Sequence, residues 1–202
     1  ALRAAGMEPY PLGGEKAGNG ISVLGVKDAL SIFTSRNIPG SEFMVSGRIR
    51  ALRNHGGVLF VTLIEGGKTL QVIMERSLVG ERLLSLASRN LDTGDIITVQ
   101  GTYGVSSSGT RSLIASSWSM ASKSLHPIPF DSFTDPEARL RRRSTDLLVH
   151  PDQMQNLRLR TAVIKALRAR LDAEGFLEVE TPILHTVHGG ASARPFRTYI
   201  NA

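Results

Sequence analysis

The feature that most constrains this chain is a switch to an alternating hydrophobic pattern at residue 42. The run FMVSGRIRAL sets Phe43, Val45 and Ile49 against Ser46, Arg48 and Arg50. VLFVTLI follows the turn His55-Gly56-Gly57, and TLQVIM follows Gly66-Gly67. Apolar residues at every second position mark half-buried strands, and glycine pairs between them mark tight turns, so these runs predict a three-stranded meander. Residues 77–90 change to helical spacing at Val79, Leu83 and Leu86, with Ser77 placed as an N-cap. Two further strand-like runs, DIITVQGTY and TRSLIASSWSM, flank the loop GVSSSG.

Three strands, a short helix and two more strands form the order of a five-stranded OB-fold barrel, one face of which commonly binds oligonucleotides. SH3-like barrels and other small β folds share much of this pattern. Residues 1–40 read as an N-terminal arm rich in turn residues, with a short helix over 26–33. Residues 41–124 hold the barrel, and the proline-bearing stretch within 125–150 reads as a linker. Residues 151–202 begin a second domain with a helix starting near Asp152. There Leu157, Ile164, Leu167 and Leu171 fall on one stripe. Gly175 ends that helix, and FLEVETPIL reads as an extended strand interrupted by Pro182. The fold class is α+β with an all-β N-terminal part.

The 202 residues include 24 Lys and Arg against 18 Asp and Glu, a formal charge of +6, which favours an anionic partner without choosing between nucleic acid and a membrane surface. With no cysteine, a disulfide scaffold, a cysteine zinc site and a thiol nucleophile are excluded. No run approaches 18 apolar residues, and the start ALRAAGMEPYPLGG lacks the order of a signal peptide, so a cytoplasmic domain is expected. Neither GxxxxGK[ST] nor a GxGxxG after a strand is present to cradle a nucleotide.

On a barrel face, arginines such as Arg48, Arg50 and Arg53 hold phosphates, a ring such as Phe60 stacks an unpaired base, and an amide such as Gln71 reads a base edge. A Phe in an apolar strand is also an ordinary core residue. The basic run RLRRR at 139–143 suits phosphates or a solvated helix face, and His185 and His188 lack the further ligands a metal site needs. Glu178 and Glu180 share one strand face and read as surface or ion-pair groups.

GFLEVETPIL (175–184) resembles motif 1 of the class II aminoacyl-tRNA synthetases. GGASARPF (189–196) resembles the lysine enzyme in particular, Ala193-Arg194-Pro195-Phe196 separating it from the aspartate and asparagine enzymes. PYP, Gly47-Arg48, FVTL, the Leu-Gln pair at 70–71, Gly94-Asp95, KSLHPIP and DLL fall in the order of a lysyl-tRNA synthetase.

The resemblance implies an anticodon-binding OB domain with Arg48, Phe60 and Gln71 as contacts. It also implies a dimer interface through motif 1, including Gly175, Phe176 and Pro182, and a lysine-binding loop at Gly189, Gly190 and Ala191. Two departures stand out. Gly109-Thr110 replaces the family's Gly-Glu, putting Thr110 at an anticodon-reading position and implying relaxed discrimination. Arg143-Ser144-Thr145-Asp146-Leu147 replaces Arg-Tyr-Leu-Asp-Leu. Both turn the resemblance towards the synthetase half of bifunctional bacterial proteins that make lysylphosphatidylglycerol.

The expectation is therefore a lysine-tRNA ligase part that binds tRNA and forms a homodimer. Lysine, ATP and magnesium belong to the parent enzyme, to which a membrane transferase domain can be fused, tethering the soluble part. No catalytic residue and no metal ligand is assigned to this chain. Motifs 2 and 3 of the family are not on these residues, so the fragment alone is expected to be inactive. A non-enzymatic tRNA-binding module derived from a synthetase is the alternative.

Overall fold

The computed structural model describes residues 2–11, 22–35, 40–106, 109–183, 194, 198 and 199. Its chain forms two compact units, Ala1–Asn156 and Leu157–Ala202.

The first unit is built on the expected strands. β1 is Val23–Gly25, followed by helix α1, Val26–Ser35. The meander is β2 (Glu42–Asn54), β3 (Val58–Glu65) and β4 (Lys68–Glu75). Helices α2 (Arg76–Val79) and α3 (Glu81–Asn90) precede β5 (Ile96–Val105) and β6 (Arg111–Ser122). The sheet runs β1-β2-β3-β4-β6-β5, and β2 also pairs with β5, so the last five strands close into a ring. β4 and β6 run parallel, while the other ring pairs are antiparallel. This is the five-stranded OB order that the alternating runs predict.

Alternation decides what fills the ring. Val45 and Ile49, Leu59, Val61 and Leu63, and Leu70, Val72 and Met74 all point inwards and are buried. Ile97, Val99, Leu113 and Ala115 complete the core from β5 and β6. At about 25 cal/mol per Å² of apolar surface, this shared interior is the main force holding the strands in register.

Helix 77–90 differs from expectation. Gly80, at φ 85° and ψ 152°, breaks it into α2 and α3, and Ser77 falls inside α2 with no side-chain capping bond at the start of either helix. Leu84 and Ala87 are the buried positions of α3, with Leu83 and Leu86 flanking them. The Trp118 indole donates to the Leu83 carbonyl at 3.1 Å, fixing α3 to β6.

The first forty residues also do more than form an arm. β1 pairs parallel to β2, and α1 buries Val26, Ala29 and Phe33 in the core at helical spacing. Gly47 makes that packing possible: a Cβ there would lie 2.8 Å from Val26 Cγ2. The Lys123 amide donates to the Pro9 carbonyl at 3.0 Å, so the PYP segment is tied to the end of β6.

Within 125–150 lie two short helices, α4 (Pro136–Arg141) and α5 (Arg143–Val149). Asp135 caps α4 through the Ala138 amide at 2.9 Å, and Pro136 takes the first turn, where its missing N–H costs nothing.

Helix α6 spans Pro151–Ala173. It ends in a Schellman motif: Phe176 donates to the Leu171 carbonyl at 3.1 Å and Gly175 donates to Asp172 at 3.0 Å. Gly175 adopts φ 84°, which a side chain resists, so its place after the helix is set by geometry. The strand expected after it is not formed among residues 176–183, which have no pairing partner there. A strand needs a neighbour to bond, and Ile183 is 96% exposed. Among the described residues no helix is long and apolar enough to cross a membrane.

Candidate nucleic-acid interface

The inward residues of β3 fix what faces out. With Leu59, Val61 and Leu63 buried, Phe60 and Thr62 stand on the outer face, and Phe60 is half-buried rather than enclosed. Cross-strand register places Arg53 opposite Phe60 on one side and Ile73 on the other. The His55 ring meets the Phe60 ring edge-to-face, with centroids 5.7 Å apart at 80°. The Arg53 guanidinium lies 6.0 Å from the Phe60 centroid. A ring fixed by two polar neighbours presents a π face that a flat base can cover.

Gln71 pairs with Thr62 on one side and Ser112 on the other, so it is the diagonal neighbour of Phe60, about 7 Å away. A base stacked on the ring spans that distance. Ser112 is fully buried. Its Oγ lies 3.1 Å from Gln71 Oε1 and 3.0 Å from the Thr110 carbonyl oxygen. Thr110 is exposed at the β5–β6 turn, where its amide donates to Ser106 Oγ at 3.0 Å and its carbonyl accepts from the Ser106 amide at 2.8 Å. Phe60, Gln71 and Thr110 therefore occupy one continuous region of the ring.

Arg48 is not part of that region. It pairs with Ile64 on β3, four residues and about 13 Å from Phe60, and its guanidinium donates to the Gly94 carbonyl at 2.8 Å. There it joins the 92–95 turn. Asp95 is fully buried; it accepts from Lys123 Nζ at 2.7 Å and from the Asp92 and Ser124 amides at 2.8 Å each. Burial works against the Lys123 charge, but Asp92 and Asp95 outweigh it and raise the amine above its ordinary value. Arg50 sits at the β2 bulge, 6.0 Å over the Phe130 ring and 3.8 Å from Asp131.

Three of the four arginines of the run 139–143 are paired within the first unit, two of them sharing one carboxylate. Arg139 and Arg143 reach the buried Asp146 at 2.7 and 2.5 Å, and His150 Nδ1 reaches it at 2.9 Å. Burial would raise the Asp146 carboxyl, yet Arg139, His150 and Arg143 hold it below the usual carboxylate range. Arg141 pairs with Glu137 at 2.8 Å.

In the second unit, Leu157, Ile164, Leu167 and Leu171 are exposed, as are Phe176 and Pro182. Glu178 accepts from Arg168 at 2.9 Å, the ion-pair role read from sequence. Gly189, Gly190, Ala191, His185 and His188 lie outside the described residues. Among the described residues no group of three or more His, Cys, Asp or Glu is arranged to hold a metal ion.

Alternation alone does not single out the His55 ring or separate Arg53 from Arg48 and Arg50. Counting outwards from the 55–57 turn pairs 54 with 59 and 53 with 60, so register was the available signal.

A closed five-stranded ring in this order, with Phe60, Gln71 and Arg53 on its outer face, has the architecture of an OB fold. Residues 43–121 match the model of the OB-fold nucleic acid binding domain, and residues 135–202 match that of the tRNA synthetases class II (D, K and N).

Across its whole length the chain is similar to proteins named lysylphosphatidylglycerol biosynthesis bifunctional protein LysX. That of Mycobacterium ulcerans (strain Agy99) is 40% identical over 202 residues, 99% of this chain and 17% of the relative. That of Mycolicibacterium vanbaalenii is 40% identical over 204 residues, 100% of this chain and 18% of the relative. That of Rhodococcus opacus (strain B4) is 42% identical over 165 residues, 81% and 15% respectively. The chain thus spans less than a fifth of the length of these curated relatives.

Proposed function

We propose that this chain is the tRNA-recognition and dimerisation part of a lysine-tRNA ligase, with the anticodon held on the outer face of its OB ring. The observation that carries this reading is the position of Phe60: outside the core, between Arg53 and Ile73, with Gln71 on the diagonal. The ring stacks an unpaired base, Gln71 reads its edge, Thr110 lies at the margin of the same region, and Arg53 with the overall positive charge attracts the phosphates.

The exposed row Leu157, Ile164, Leu167 and Leu171, continued by Phe176, is apolar surface that a second copy covers, with Gly175 and Pro182 shaping the segment beside it. In the parent enzyme, lysine would meet the loop at Gly189, Gly190 and Ala191. The family's reaction joins the lysine carboxylate to the ATP α-phosphate with magnesium and then passes lysine to the tRNA. The names of the relatives support lysyl-tRNA destined for lipid lysylation, by a transferase domain fused to the soluble cytoplasmic part.

Binding of an anticodon stem-loop RNA tests the reading. Phe60→Ala lowers affinity by about 1–3 kcal/mol, a factor of about 5–150, with the fold intact. Unchanged affinity in a folded variant refutes it. Lysine-dependent pyrophosphate exchange by a longer protein containing this chain separates a ligase from a tRNA-binding module without enzymatic activity.

A further inference from the structure

The Ser112 hydroxyl has one proton and two oxygen neighbours, Gln71 Oε1 at 3.1 Å and the Thr110 carbonyl at 3.0 Å. Both oxygens are acceptors, and one hydroxyl cannot donate to both. The Thr110 carbonyl is main chain and cannot change its character, whereas a side-chain amide can turn by 180° with almost no change of shape. With the Gln71 amide turned, Nε2 donates to Ser112 Oγ, and the hydroxyl donates to Thr110. Every polar atom in the set is then satisfied, which matters because Ser112 is fully buried and a mismatched contact there has no water to relieve it.

We propose that Ser112 is a positioning residue: it fixes which end of the Gln71 amide faces the open side of the sheet, and so which bases the site accepts. This rests on the reading of the outer face as an RNA site. Held by Ser112, the amide presents Oε1 outwards as an acceptor. An acceptor opposite the centre of a base's pairing edge suits an imino N–H, which uracil and guanine carry, and repels the bare N3 of cytosine or N1 of adenine. Ser112 itself does not touch the RNA. It acts through Gln71, and its link to the Thr110 carbonyl ties the amide's orientation to the β5–β6 turn.

The test uses the full chain and stem-loop RNAs identical except for uracil or cytosine at one anticodon position at a time. The unmodified chain prefers uracil by about tenfold or more at the position lying over Phe60. Ser112→Ala brings that ratio to within about twofold while affinity for the uracil RNA falls much less, because stacking and phosphate contacts remain. Ser112→Thr, which keeps the hydroxyl, retains the preference. In a Gln71→Ala background, adding Ser112→Ala changes the ratio no further.

A Ser112→Ala chain that keeps the full preference overturns the proposal and leaves the RNA-binding reading standing. So does an unmodified chain that binds RNA without distinguishing the two bases, or a Ser112 effect that persists without Gln71. An unmodified chain that binds none of these RNAs removes both. Circular dichroism on each variant separates loss of preference from loss of fold, and Ser112→Thr decides the matter should the alanine variant unfold.

Discussion

Replacing Lys123 with Met tests the fastening at one end of the ring. Lys123 Nζ lies 2.7 Å from Asp95, 2.5 Å from Asp92 and 2.8 Å from the Asn90 carbonyl. Its side chain is 21% exposed and that of Asp95 is 0%. Removing one partner of a buried ion pair costs about 3–5 kcal/mol, because the other charge remains in a poor solvent. Here Asp95 keeps two backbone donors and Lys123 is partly wet, so the expected loss is about 2–3 kcal/mol. For a chain of this size that lowers the melting temperature by about 4–12 °C.

Trp118, the single tryptophan, is buried against α3, so its fluorescence in urea reports the barrel directly. The raised amine sets the pH dependence. Its stabilisation is fully present below the unfolded lysine value of about 10.4 and disappears as pH rises through the higher folded value. The gap between the two proteins is therefore flat from pH 7 to 9 and narrows only in stronger alkali. A loss under about 0.5 kcal/mol, or a gap that narrows between pH 7 and 9, refutes this account of the pair.

Arg48→Ala destabilises the chain while leaving RNA affinity within about twofold, whereas Arg53→Ala weakens RNA binding and lowers the slope of log affinity against log salt by about one; parallel urea and salt titrations check both, and an equal effect on RNA binding would contradict the placement of Arg48 at Gly94. Asp146→Asn removes a carboxylate whose stabilisation is present above the unfolded value of about 3.9 and lost as pH falls through its lower folded value, so the unmodified chain loses stability more steeply in acid than the variant, as melting between pH 2 and 6 will show. Ile164→Glu with Leu167→Glu places charge on the exposed apolar row and converts a dimer to monomers by sedimentation, with RNA affinity unchanged per chain.

The meander is legible because β2 and β3 alternate with a period of two and end at the glycine pairs 56–57 and 66–67, a signal that needs no knowledge of neighbours. β1 is not, since three residues are too few to show a period and its place beside β2 is set by α1 packing over Gly47. The apolar spacing after β4 runs through Gly80 without a break, while the backbone there takes a positive φ that favours glycine, and a second helix starts.

In the candidate site, residue type and family likeness single out Phe60 and Gln71, which the strand register sets on one diagonal. The strand pattern treats Arg48, Arg50 and Arg53 alike and so sets Arg48 on the same surface. A bulge between Ile49 and Ala51 shifts the register, and pairing with β3 puts Arg53 beside the ring instead. Within the basic run at 139–143, Arg139 of α4 and Arg143 at the start of α5 both turn to Asp146. Composition alone does not distinguish such internal neutralisation from a surface waiting for phosphate.

The ring joins β2 to β5 and β4 to β6, pairs whose partners are separated by dozens of residues. The meander leaves the ribosome first and forms hairpin by hairpin, yet both of its outer strands keep bare edges until β5 and β6 follow. Its folding is thus governed by non-local pairing and is slow for its size. During synthesis the apolar side of β2 to β4 stands open to neighbouring nascent chains, and the arrival of Trp118 and its strand is the moment at which that hazard ends.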